Sequence, residues 1–293
     1  LIHLDSHDTF VGFISKKHIE THSMRWNFFC RSIATLAFVF SNPTYSQDTE
    51  KNLEPFWSST GNWVVSFGAG VQYPQWNDLM RVNNTPSPLT PRSNNFFSTR
   101  NQSEPVIGLA LGRRWQHDSV WFPAYSFSAV WKYFFRTNIG NTILHNSGPE
   151  LSNYKYDWDL TANMLLASAK VNLFQYRKFS PFAHAGIGSS FNRTSHYRER
   201  APAGVTPRVS PQFANFSTSE FTYNVGAGVD LLLTPQWTLS VGYSYQDLGQ
   251  ISSGPGKGTW SNQSLNPGSY HSNEVLVSVS YIFGGNQPVQ VEK

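Results

Sequence analysis

Apolar and polar residues alternate with period two over most of the chain from Trp63 onward, the period of a strand with two unlike faces. In the first segment Trp63, Val65, Phe67, Ala69, Val71 and Tyr73 share one face, while Ser66, Gly68, Gly70 and Gln72 share the other. Phe221–Leu233 sets Phe221, Tyr223, Val225, Ala227, Val229 and Leu231 against Thr222, Asn224, Gly226, Gly228 and Asp230. Trp237–Tyr245 and Val275–Phe283 repeat the scheme. Four further segments are less regular: Ile107–Trp115, Tyr125–Phe135, Leu165–Leu173 and Ala183–Phe191. Eight strands are therefore predicted.

The connections order them. Three are short, at His117–Ser119, Arg177–Phe179 and Thr234–Gln236. Four are long and polar, at about Pro74–Gln102, Asn138–Tyr156, Asn192–Ser219 and Gln246–Tyr270. Short and long alternate strictly, so the short turns and both ends of the set fall on one side. This pattern predicts an all-β, eight-stranded antiparallel up-and-down barrel. In a soluble barrel, the lipocalin-like alternative, bulky residues point inward to fill the core. Here Gly68, Gly70, Gly186, Gly188, Gly226 and Gly228, facing inward, would leave such a core hollow. With the apolar face turned to lipid instead, Trp63, Tyr73, Trp115, Trp131, Tyr245 and Tyr281 fall near the heights of aromatic girdles, making the barrel transmembrane.

The final strand, EVLVSVSYIF (Glu274–Phe283), resembles the terminal strand of bacterial outer-membrane proteins, which alternates and ends in an aromatic. Residues 63–283 as a whole are similar to barrels of the opacity/surface-antigen type, OmpA membrane-domain-like in size. The resemblance implies a bacterial outer-membrane location and a non-enzymatic surface role in adhesion or envelope interaction. It further implies that the barrel-assembly machinery reads Tyr281 and Phe283, although ten residues follow Phe283 in this chain. Implied partners are outer-membrane lipid, lipopolysaccharide and host surface molecules. A lipid A-modifying hydrolase and a small porin are the alternatives that such barrels also admit.

Composition agrees with a lipid-facing barrel. Only 14% of the 293 residues are charged against 15% aromatic, where ordinary soluble domains carry about 25% charge. The formal charge of +4 and the absence of a Lys/Arg-rich run give no reason to invoke nucleic acid. The segment from Met24 combines Arg25 and Arg31, the apolar run Ile33–Phe40 and small residues before Gln47. That is the layout of a secretory signal peptide; a buried apolar helix is the alternative. The expected organisation is 1–23 as an upstream translation artefact, 24–46 as signal peptide and 47–62 as periplasmic linker. The barrel, 63–283, and a short tail, 284–293, complete it. Removing residues 1–46 leaves the charge fraction nearly unchanged and takes away Cys30, the single cysteine, so no disulfide is expected.

The polar faces carry Lys132, Lys170, Asp230 and Glu274, with Arg114 and His184 as further members. Charges inside a narrow barrel must pair, so these residues are expected to form a lumenal network that plugs it. An ion pathway is the competing reading. His271-Ser272-Asn273-Glu274 is similar to the His-x-Ser-Asn motif of lipid A deacylases, but neighbouring strand residues point to opposite faces. Gly254–Thr259 (GPGKGT) departs from the phosphate-loop pattern and follows no βα unit. His117, His145, His184, His196 and His271 lack paired ligand spacing, so no metal or cofactor is expected. Arg193, Arg198, Arg200 and Arg208 make the third long connection basic, suited either to solvent or to lipopolysaccharide phosphates.

Overall fold

The computed structural model describes residues 61–83, 93–98, 103–144, 154–204, 212–257 and 263–283. The expected signal peptide, the segment before it, most of the linker and the tail after Phe283 lie outside the described residues. Twelve strands follow in order: β1 (Asn62–Gln75), β2 (Leu79–Asn83), β3 (Ser93–Phe97), β4 (Glu104–Gln116), β5 (Trp121–Leu144) and β6 (Tyr154–Phe174). Then come β7 (Phe179–Arg200), β8 (Gln212–Phe213), β9 (Phe216–Leu232), β10 (Trp237–Ile251), β11 (Gly256–Lys257) and β12 (Gly268–Ile282).

Eight of them form a closed ring, β1-β4-β5-β6-β7-β9-β10-β12, in which every neighbour is antiparallel. Closure is made by β1 against β12, from Val64↔Ile282 to Gln75↔His271. All eight expected segments fall on these strands. The three short connections turn tightly at one end. Between β6 and β7 the backbones of Tyr176 and Phe179 exchange both hydrogen bonds at 2.9 Å, with Arg177 at φ 53°. Between β9 and β10 the Thr234 hydroxyl accepts from the amides of Gln236 and Trp237.

At the other end the structure differs from the sequence reading. Much of what reads as long polar loops is strand. β5 continues to Leu144, β6 starts at Tyr154, β7 runs to Arg200 and β10 to Ile251. The first connection holds the hairpin of β2 and β3, which joins β5 through Asn95↔Leu144 and Phe96↔Ile143. Crossing a bilayer takes about 9–11 tilted residues. β5, with 24, and β7, with 22, are roughly twice that long. The ring therefore rises well beyond any membrane.

Polarity inverts along that rise. In the turn-side half the wall exposes Trp63, Phe67, Leu109, Ile187, Val241 and Val277 to the outside, while Gln72, Lys132, Asn224, Asp230 and Glu274 are buried inside. In the far half the interior is apolar. Trp158, Tyr156, Phe134, Ile139, Leu248 and Phe96 pack there into a buried cluster, with Phe96 edge-on to Tyr156 at 5.2 Å and to Phe213 at 6.0 Å. Each buried large apolar side chain contributes about 1.5–3 kcal/mol, so the upper half is held as a soluble β-protein is. Three β-bulges lie near the change. One extra residue is inserted between Phe134 and Thr137 of β5, between Ser195 and Arg198 of β7, and between Asp247 and Gln250 of β10. A bulge shifts the two-residue alternation by one, and so exchanges the faces without breaking the ring.

Candidate functional site

Two polar tiers fill the lower interior. In the tier nearer the turns, Asp230 is fully buried on β9. Its carboxylate accepts from Lys170 Nζ at 2.6 Å, Ser240 Oγ at 2.7 Å and Asn172 Nδ2 at 2.9 Å. Arg114 Nη1 lies 3.6 Å away. β4 and β9 are four places apart in the ring of eight, so the Arg114–Asp230 pair spans the barrel from wall to opposite wall. Lys170 Nζ also sits 3.8 Å above the Phe182 ring, an attraction that desolvation strengthens.

The second tier lies six residues further along β10, from Ser240 to Gln246, about 20 Å at strand rise. Lys132 Nζ donates to Glu274 Oε1 at 2.8 Å and to Gln246 Oε1 at 3.3 Å, and Gln246 Nε2 donates to Glu274 Oε2 at 2.9 Å. All three side chains are buried. The four singled-out residues are thus brought together as two pairs, Lys170 with Asp230 and Lys132 with Glu274, in place of one cluster. His184, a further member, packs beside Phe182, with ring centroids 6.0 Å apart. Sequence reading missed Asn172, Ser240 and Gln246, whose signal is only their inward parity. Higher still, Gln72 Oε1 accepts from Tyr270 OH at 2.7 Å and Ser272 Oγ at 3.0 Å, directly beneath the apolar core.

The outer wall carries two aromatic rings. At the turn end Arg113 covers the Trp63 ring at 4.5 Å, Trp115 stacks on Tyr125 at 5.2 Å, and Tyr281 contacts both Trp237 and Phe283 at 4.9 Å. At the far edge Tyr73, Phe135, Phe191, Phe221 and Tyr243 are exposed. Ten residues of tilted strand separate Trp63 from Tyr73, a height of about 25 Å. That is the height of a lipid-facing apolar band.

His271 faces outward, 2.9 Å from Tyr245 OH and 3.6 Å from Asp247 Oδ2. Ser272 and Glu274 are buried inside, on the other side of the wall from it, so the four consecutive residues form no single site. Gly256 and Lys257, from the GPGKGT stretch, pair antiparallel with Phe213 and Gln212; Gly258 and Thr259 are outside the described residues. No group of three His, Cys, Asp or Glu side chains suited to a metal occurs among the described residues.

A closed antiparallel ring with an apolar, girdled outside and ion-paired inside is a transmembrane β-barrel. The chain belongs to the outer membrane protein β-barrel domain family, whose sequence model matches residues 91–283. It is located in the bacterial outer membrane, with short turns on the periplasmic side and the tall rim outside, as such barrels are oriented. Among solved structures it is similar to neisserial surface protein A at 16% identity, covering 76% of this chain and 98% of that one, with a TM-score of 0.38. Ail, the attachment invasion locus protein of Yersinia pestis, matches at 10% identity, 77% and 100% coverage and a TM-score of 0.32. The outer membrane protease OmpT of Escherichia coli matches at 8% identity, 76% and 97% coverage and a TM-score of 0.41. No curated protein matches the chain in sequence.

Proposed function

We propose that this protein is a non-enzymatic barrel that presents a rigid extracellular rim to molecules outside the cell or to neighbouring envelope components. The observation that carries the reading is the filling of the interior at two levels. Ion pairs between non-adjacent strands occupy the membrane-spanning half, and a packed apolar core occupies the rim half. An interior spent on internal contacts leaves the outside of the rim as the surface available to a partner, and loops on rigid scaffolds are where binding concentrates. The rim edge is also well braced. Asn192 Nδ2 and Ser190 Oγ both donate to the Leu248 carbonyl, and Thr194 Oγ1 donates to Ser252 O at 2.8 Å.

Two measurements test it. Single-channel recording in planar bilayers is expected to show no stable, sizeable conductance; a steady open channel would favour a porin. Cells displaying the protein are expected to lose surface binding when 202–210 is replaced by a Gly/Ser segment of equal length. Heat-modifiable gel mobility serves as the folding control. Binding unchanged by replacement of each rim segment in turn would overturn the proposal.

A further inference from the structure

Just above the outer girdle, the exposed face of β5, β6 and β7 carries an excess of positive charge held in a built arrangement. On the central strand, Asp157 and Asp159 point outward and each is straddled by two basic side chains. Asp157 accepts from Arg198 Nη2 at 2.7 Å and from Arg200 Nη2 at 2.9 Å. Asp159, itself buried, lies 3.5 Å from Arg136 Nη1 and 3.2 Å from His196 Nδ1. Lys155 and Arg193 are exposed on the same face. Five permanent cations therefore meet two carboxylates, and His196 adds to them when protonated. Glu199 takes the Tyr197 hydroxyl as donor and has inward parity.

Two features show that this arrangement is positioned. Both basic neighbours of Asp159 come from bulges: Arg136 from the extra residue in β5, His196 from the extra residue in β7. His196 holds a left-handed φ of 56°, a conformation that costs a non-glycine residue about 1–3 kcal/mol and concentrates at functional positions. The Arg136 and His196 side chains are about two-thirds exposed while the carboxylate beneath them is covered. Asp159 thus holds their inner edges and their remaining N–H groups face outward. Arg198 and Arg200, 60% and 69% exposed, are held in the same way. A guanidinium has five donors in a fixed fork, and one carboxylate contact leaves donors free for a second anion.

Height identifies the anion. Arg136 follows Phe135 directly, and Arg193 stands two residues beyond Phe191; both aromatics belong to the outer girdle. Asp159 is four residues above Asn163, which pairs with Tyr133 and Phe191, or about 10 Å above the apolar band at strand rise and tilt. That is headgroup depth, and each cation near an anionic lipid surface contributes about 1 kcal/mol. We propose that this wall is a binding site for the phosphoryl groups of an outer-leaflet glycolipid. Arg136, His196 and Arg193 take the phosphate nearest the acyl chains, and Lys155, Arg198 and Arg200 take anionic groups of the sugar region. The site lies on the side wall and is independent of what the rim edge binds.

The test uses the full protein in nanodiscs doped with bisphosphorylated lipid A, or with the same lipid A after dephosphorylation. Retained lipid is counted by native mass spectrometry. The double variant Arg136→Gln/Arg193→Gln is expected to retain about tenfold less bisphosphorylated lipid A, the effect of two exposed charge contacts. Arg136→Lys/Arg193→Lys should keep most of it, and Lys178→Gln in a periplasmic turn should lose nothing. Should the Gln pair fail to fold, the wild-type protein still decides, since it must prefer the phosphorylated lipid. Equal retention of both lipids overturns the proposal. So does competition by inorganic phosphate as effective as by the lipid. Binding of a soluble sulfated glycan that depends on these arginines, with lipid retention unaffected, would assign the wall to a glycan instead.

Discussion

Replacing Asp230 by Asn tests how the membrane-spanning interior is held. Asp230 is fully buried, accepts three hydrogen bonds of 2.6–2.9 Å and faces Arg114 across the barrel at 3.6 Å. Asparagine keeps the size and an acceptor for Asn172 or Ser240, but removes the charge. Lys170 and Arg114 are then left as two cations with no counter-ion in their tier. Breaking a buried pair by removing one partner costs about 3–5 kcal/mol, most of it the price of the stranded charge. Equilibrium urea unfolding of the protein refolded into vesicles, followed by tryptophan fluorescence and gel mobility, measures the loss. The unfolding free energy should fall by that amount, and adding Lys170→Met should recover part of it by removing one stranded cation. Lys132→Met disturbs the other tier, about 20 Å away along the strand, and its effect should add to that of Asp230→Asn within about 0.5 kcal/mol. An Asp230→Asn variant within about 0.5 kcal/mol of the parent would show that the charges are hydrated, and the wall-to-wall pairing would be wrong.

Three further outcomes are expected. Trp158→Ala empties a buried position in the rim core and should cost about 3–5 kcal/mol, seen as faster proteolysis of the rim while the membrane-spanning half stays resistant. At Gly188 a Cβ would meet the Leu165 carbonyl of the neighbouring strand, so Gly188→Val should shift backbone and lower the heat-modifiable transition clearly, whereas Ser189→Val should not. Tyr156 lies in the rim core, where burial raises its phenol above the ordinary value and its hydroxyl has no partner among the described residues. The unfolded phenol ionises near pH 10 and the folded one higher, so its contribution is whole below about pH 10 and falls above it, by up to about 1.4 kcal/mol per pH unit. Tyr156→Phe should remove that slope and, at neutral pH, leave stability equal or raise it by about 1 kcal/mol; an unchanged alkaline slope would refute this.

The membrane-spanning half was legible because its alternation is continuous and its turns are short. Trp63 to Tyr73 and Phe221 to Leu233 each show one uninterrupted apolar face, and both proved to be outer wall. The rim was not legible, because bulges hide it. Ile139 and Ile143 have the same odd parity as Trp131 and Phe135, yet one extra residue between Phe134 and Thr137 turns the isoleucines inward and the segment reads as loop. β6 has no extra residue of its own and carried a usable signal. Tyr154, Tyr156, Trp158, Leu160, Ala162, Met164 and Leu166 are apolar at even positions, while Leu165, Ala167, Ala169, Val171 and Leu173 are apolar at odd ones. Overlap of the two sets near Met164–Leu166 marks where the environment outside changes from lipid to water. For the interior, parity gave the charged members, but pairing depends on which walls face each other. Barrel closure fixes that, and no local pattern encodes it.

β6 therefore offers the most direct test, since it crosses both environments without a bulge of its own. Spin labels placed singly from Lys155 to Leu173 in the vesicle-bound protein report access to oxygen, which partitions into lipid, and to a water-soluble nickel chelate. Odd positions from Leu165 to Leu173 should be oxygen-accessible, Lys155, Asp157 and Thr161 nickel-accessible, and even positions throughout shielded from both. Oxygen access at even positions, or nickel access along the whole odd face, would contradict a barrel that meets lipid below and water above.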